Sequence, residues 1–176
     1  MWIVLLGDMT VFAVLFALYL NRRGHSKEVF ATSQDHLNRT LGVVNTLVLL
    51  SSSLLVVLAT RALRDERLQK RASPLVVAAI GVGMCFVVVK VIEYREKVSV
   101  GITPTTNEFY MYYFIITGLH LMHVIIGLII LVVLSRLAKK SETSHMRIAF
   151  FEGGACFWHM VDLLWLVIFP LVFLVR

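Results

Sequence analysis

Apolar residues fall into five long runs separated by short polar segments, and this alternation dominates the chain. The runs cover about 2–20, 40–60, 74–94, 109–137 and 148–175. Each is long enough to cross a hydrocarbon core, which takes roughly 20 helical residues. Lipid offers backbone N–H and C=O groups no partners, so helices that satisfy them internally are expected. The pattern predicts an all-α protein, an integral membrane bundle of five transmembrane helices forming one domain over residues 1–176. The connections "NRRGHSKEVFATSQDHLNR", "RALRDERLQKRAS", "REKVSVGITPTTN" and "AKKSETSHMR" are polar, and none is large enough to fold alone. Pro74 suits the first turn of the third helix. Thr105, Thr106 or Asn107 suits the cap of the fourth. The last two runs, close to 28 residues each, give helices of about 42 Å against a core of about 30 Å, so they are expected to tilt or project.

Composition agrees. Residues are 59% hydrophobic and only 16% charged, where a soluble domain has about a quarter charged. The net charge of +6 sits between the apolar runs. There it suits lipid headgroups and topology rather than nucleic acid. Arg61, Arg64, Arg67, Lys70, Arg71, Arg136, Lys139, Lys140 and Arg147 would share one face; Arg22, Arg23, Lys27, Arg39, Arg95, Lys97 and Arg176 would share the other. That balance favours a cytoplasmic N-terminus and an outside C-terminus. The first run lacks a basic n-region and a cleavage site, and Asp8 interrupts it, so it reads as a retained helix and not a signal peptide. Cys85 and Cys156 lie in apolar runs without CxxC-type spacing and read as small apolar residues, not as a disulfide or metal pair.

The ionisable residues inside the spans change the picture most. Asp8, Lys90, Glu93, Glu152 and Asp162 would together cost on the order of 10 kcal/mol if unpaired. On the fifth helix Glu152, His159 and Asp162 form one polar face, with Trp158 and Trp165 well round from it. Thr117, His120, His123 and Gly127 share a face of the fourth, and Gly42, Asn45 and Ser52 share one of the second. Lys90 and Glu93, one turn apart, can pair locally. Such stripes serve interhelical hydrogen bonding. Intramembrane ionisable groups also mark functional sites. A bis-histidine haem would take His120 or His123 with His159. A metal site would need Glu152, His159 and Asp162 with further carboxylates such as Asp8 and Glu93, and no ExxH motif supports it. A proton relay through Asp8, Asp162 and histidine is chemically reasonable. A transporter would be expected to show repeat symmetry, which is absent. No P-loop, nucleophile elbow or zincin motif is present.

Several segments resemble one family in order along the chain. "FFEGGACFWHMVDLLWLVIFP" resembles the Phe-Glu lead-in and W-H-F-V-D-x-V-W-L pattern in the last helix of subunit III of haem–copper respiratory oxidases. "TGLHLMHVIIG" is similar to its T-G-x-H-x-x-H-V-x-x-G, "NTLVLLSSS" to N-T-x-x-L-L-x-S-S, and "IEYREKVSVGI" to the segment with E-Y-x-E. "LGDMTVF" is similar to the buried-acid segment Ser-Glu-x-x-F-F, with Asp8 in place of the glutamate. The resemblance implies a five-helix accessory subunit with no catalytic centre and no cofactor of its own. Haem and copper would reside in its partner, catalytic subunit I of a terminal oxidase. Membrane phospholipids would be its other partners, in a bacterial inner membrane, and it would support assembly, lipid binding and proton uptake of the catalytic subunit. Asp8, Asn45, Glu93, His120, His123, Glu152, His159 and Asp162 take the places of structural or proton-handling polar residues. An accessory protein of nitric-oxide reductase is the variant that Asp8 leans toward.

Overall fold

The computed structural model describes residues 2–35, 37–65, 67–139 and 145–175, with the backbone alone at 2, 4, 35, 145 and 147. Among these, six helices follow one another: α1 (Trp2–His25), α2 (Lys27–Asp35), α3 (Arg39–Arg64), α4 (Gln69–Ser99), α5 (Glu108–Ala138) and α6 (His145–Phe169). A π-helical segment, Pro170–Leu174, ends the chain's last span. Five of these units are long and apolar enough to cross a membrane: Leu5–His25, Arg39–Arg64, Gln69–Ser99, Glu108–Ala138 and Ile148–Leu174. The protein is an integral membrane helical bundle. Lys140 and Arg176, and the Arg147 side chain, which enter the charge balance, lie outside the described residues.

The spans α3, α4, α5 and α6 close a ring in which each packs on the next and α6 returns to α3. α1 leans against α5 and touches α2, outside that ring. The antiparallel order gives the bundle a near end, with the start of α1 and the α3–α4 turn, and a far end, with α2, the α4–α5 turn and Val175.

Local chemistry explains the ends. Asn107 caps α5, its side-chain oxygen accepting the Tyr110 N–H at 2.9 Å, because a short side-chain acceptor satisfies a first-turn donor. Of the three candidate caps, the chain uses this one. Asn38 does the same for α3 through Leu41. α4 stops where Gly101 takes a φ of +82°, a left-handed position that glycine adopts without strain. The N–H groups of Gly101 and Ile102 then bond the carbonyls of Val98 and Lys97, a closure that consumes orphan helix acceptors.

Two expectations about the elements are corrected. Pro74 lies inside α4, which begins at Gln69, and not in its first turn. The missing N–H would have served the carbonyl of Lys70, an exposed residue at the near end, where water can replace it. The first polar connection is also not all loop, because it contains α2. Only Val29 and Phe30 give α2 an apolar signal, too few for a periodic pattern. Its fold comes from contacts: Phe30 packs edge-on to Tyr19 at 5.4 Å and Phe109 at 5.5 Å.

Packing at the centre is aromatic on small. Trp158 is buried against α4 and α5, and a Cβ at Gly127 would lie 2.7 Å from its ring. A Cβ at Gly83 would lie 3.0 Å from the same ring. The glycines thus form a notch that lets α4, α5 and α6 close around one indole, the small-residue packing that membrane helices favour. Cys85 is exposed and Cys156 half-buried, both as free thiols.

Candidate functional site

The polar side chains inside the spans meet partners one by one. Lys90 and Glu93, 1% and 3% exposed, form an ion pair with Nζ 2.8 Å from Oε2. The other carboxylate oxygen of Glu93 accepts the Tyr113 hydroxyl at 2.6 Å, joining α4 to α5. The Lys90 ammonium also lies 4.7 Å from the Trp165 ring centre, with Phe173 at 5.4 Å and Tyr113 at 5.6 Å. Aromatic faces attract a cation, and most strongly where water is excluded. Lys97, two turns toward the far end, is buried as well and approaches Tyr113 at 5.5 Å. Sequence alone shows the Lys90–Glu93 spacing; nothing in it shows the aromatic cage, which is assembled from α5, α6 and the π-helical segment.

The polar face of α6 points at α3. Glu152 pairs with Arg64, near the surface of the near end. His159 Nδ1 lies 2.6 Å from the Ser53 hydroxyl, and Ser53 also faces the Asp162 carboxyl. Asp162 is buried, and its Oδ1 has no partner among the described residues. Trp165, on the other side of α6, reaches α3 through its Nε1, which donates to Thr46 at 3.0 Å.

The shared face expected on α5 divides among three neighbours. Thr117 bonds the Tyr94 hydroxyl of α4 at 2.6 Å. The His120 Nε2 donates to the Val161 carbonyl of α6 at 3.0 Å, with the ring between Phe86 and Trp165. The His123 Nδ1 donates to Leu119 in its own helix at 2.8 Å, and its Nε2 lies 3.4 Å from Asp8 of α1. Phe12 lies edge-on to the same imidazole. The stripe expected on α3 divides too. Ser52 donates to the Ala79 carbonyl of α4 at 2.8 Å, whereas Gly42 abuts Phe169. Asn45 is fully buried, but neither its oxygen nor its nitrogen has a partner among the described residues.

The far end is tied by residues that periodicity does not single out. Gln34 of α2 donates to the carbonyls of Val172 and Val175, both at 3.0 Å. Asn107 donates to Ser33 at 3.0 Å, and Arg22 lies 3.9 Å from Glu108.

This geometry bears on the chemistry weighed above. His120, His123 and His159 engage α6, α1 and α3 in turn, so each imidazole weighed for a haem is already bonded to the protein or faces its acid. Glu152, His159 and Asp162 share a face, but Asp8 and Glu93 are held elsewhere by His123 and Lys90. Among the described residues, no three His, Cys, Asp or Glu side chains gather in a position to hold a metal ion.

The fold and these contacts define the class: an integral membrane helical bundle held together by buried ion pairs and hydrogen bonds. Comparison makes this specific. The family model described as "Cytochrome c oxidase subunit III" matches residues 32–175. Cytochrome bo(3) ubiquinol oxidase subunit 3 of Buchnera aphidicola subsp. Acyrthosiphon pisum is 30% identical over 175 residues, 99% of this chain and 84% of the relative. Cytochrome c oxidase subunit 3 of Synechocystis is 33% identical over 177 residues, 97% of this chain and 72% of the relative. The protein of that name in Alkalihalophilus pseudofirmus is 28% identical over 174 residues, 98% of this chain and 84% of the relative. The chain belongs to the cytochrome c oxidase subunit III family. These relatives carry oxidase names, which does not favour the nitric-oxide-reductase variant.

Proposed function

We propose that the chain is an accessory, non-redox subunit III of a haem–copper terminal oxidase in aerobic respiratory electron transport. Its partner would be catalytic subunit I, which would carry the haem and copper, and its surroundings membrane phospholipids. The observation that carries this reading is the engagement of the intramembrane ionisable side chains. Lys90 with Glu93, Arg64 with Glu152, and His123 with Asp8 pair with each other, while His120 and His159 bond a carbonyl and a hydroxyl. Side chains so engaged hold helices in place. Intramembrane catalysis would instead ask several of them to converge on one point.

On this reading Glu93, His120, Glu152 and His159 lock the bundle, and Asn45 belongs to its packed interior. Asp162, facing Ser53 of α3, helps fasten α6, and Asp8, on the peripheral helix beside His123, is the acid available for proton handling on behalf of subunit I. The near end, with the arginines of the α3–α4 turn, faces the cytoplasm of a bacterial inner membrane, by the excess of basic residues on that side. Affinity purification of the tagged chain from native membranes in mild detergent tests the assignment. Recovery with a haem-bearing large subunit is expected. Recovery free of any oxidase subunit would overturn it.

A further inference from the structure

Most outer faces of the spans suit lipid. Leu47 and Leu54 of α3, Ile129 of α5 and Leu163 of α6 are each more than half exposed, and such side chains favour the hydrocarbon core. A groove of about 420 Å³ between α3 and α6 is different. Thr60, Ala155, Cys156 and His159 line it beside Val57, and the Arg64–Glu152 pair stands at its near end. Its lining is small and polar where its flanks are large and apolar.

His159 is the group that lipid cannot serve. The residue is half-buried. By helical rise it stands about 17 Å inside the span that begins at Ile148, level with Ser53, which is about 17 Å from Arg64 along α3. The imidazole Nδ1 meets the Ser53 hydroxyl at 2.6 Å, but Nε2 makes no hydrogen bond among the described residues. According to which nitrogen carries the proton, Nε2 is an N–H donor or a lone-pair acceptor. The other hydroxyl of the groove, on Thr60, is turned to the Val56 carbonyl of its own helix at 2.9 Å. An acyl chain laid in the groove would leave Nε2 unpaired at this depth, which hydrocarbon penalises heavily.

We infer that the groove seats a membrane-spanning helix of catalytic subunit I, and that this helix presents a hydroxyl or amide side chain to His159 Nε2. Hydroxyls and amides both donate and accept, so they fit either tautomer. Small lining residues let a second helix approach closely, and histidine bridges helices within the membrane. The inference rests on the oxidase reading and deepens it by naming the face that docks.

The test uses the complex purified from native membranes. A small diazirine-bearing amino acid at position 57 should label the haem-bearing subunit on illumination, and the same probe at position 129, across the ring, should not. Label from position 57 on lipid alone, or on a subunit without haem, would overturn the docking face. So would label on the haem-bearing subunit from position 129 only. Two variants separate docking from bundle packing. His159→Asn keeps an amide where Nδ1 meets Ser53 and loses the Nε2 position; it should weaken retention of the haem-bearing subunit about tenfold, the effect of one partner left unpaired. His159→Gln keeps a polar atom at the Nε2 position and should retain the subunit, although the Ser53 contact is lost. Retention that is kept in His159→Asn and lost in His159→Gln would make the histidine purely structural and overturn the proposal. Val57→Trp, which fills the groove without touching the Ser53–His159 contact, should also release the partner; full retention in that variant would count against docking here. A wild-type chain recovered without any haem-bearing subunit would overturn the oxidase reading itself, whereas a haem-bearing subunit recovered but unlabelled from position 57 would overturn this face alone.

Discussion

The ammonium of Lys90 and the carboxylate of Glu93 lie 2.8 Å apart in the interior of the bundle, with Trp165, Phe173 and Tyr113 around the cation. Removing one charge strands the other in a medium that cannot solvate it. Glu93→Gln and Lys90→Met are each expected to destabilise the subunit by about 3–5 kcal/mol. The double variant Lys90→Met/Glu93→Leu should cost clearly less than the sum of the single changes, because no charge is left stranded. Thermal unfolding of the three variants in detergent reads this directly. Strictly additive losses would show that the two residues act independently.

Trp158 and Gly127 give a second test. A methyl group at 127 would press on the indole ring, and overpacking of this kind costs about 1–3 kcal/mol. Gly127→Ala should therefore lower the unfolding temperature. Gly81→Ala, one helix away with open space around it, should leave it unchanged or raise it slightly.

The Arg64–Glu152 pair looks similar on paper but should behave differently. The two side chains are 65% and 36% exposed, so water and headgroups screen them. Glu152→Gln is expected to change stability by no more than about 1 kcal/mol. The effect should shrink further as salt is raised, measured by unfolding at two ionic strengths.

For Asp162, the expected outcome of Asp162→Asn is a looser bundle, lowered by about 1 kcal/mol through its hydrogen bonding, with turnover of the assembled oxidase intact. Assembly yield and turnover are measured on the same preparation. Reduced turnover at full assembly would instead assign the carboxyl to proton transfer.

The isolated chain should show no Soret band, since His120, His123 and His159 turn to three different helices. A visible absorption spectrum checks this. A band lost on His159→Ala would revive a haem site.

The sequence made some of this legible and withheld the rest for physical reasons. The five spans follow from hydropathy alone, because lipid tolerates little else. The Lys90–Glu93 pair follows from one-turn spacing, and the polar face of α6 from helical periodicity. Periodicity gives only the angle around a helix axis. It does not say which neighbour stands at that angle, and so the face of α5 divides among α4, α6 and α1. For the same reason the most deeply buried face of α6 proves to be the one bearing Trp158 and Trp165, while its acids lie toward α3. α2 was illegible because it has almost no apolar signal of its own. Its place is set by Phe30, Ser33 and Gln34, each meeting groups distant in the chain. Asn45 is the converse case, a polar residue that looks like a natural bridge but whose side chain has no partner among the described residues.

The position of α1 outside the four-helix ring has a consequence for biosynthesis. Its main neighbour is α5, which follows it in the chain only after α3 and α4. Of the five spans, α1 therefore waits longest for its lasting contacts. Through that interval Asp8 lies in the bilayer without His123, and a chaperone or insertase that shelters one carboxyl would be needed most while α3, α4 and α5 are still being made.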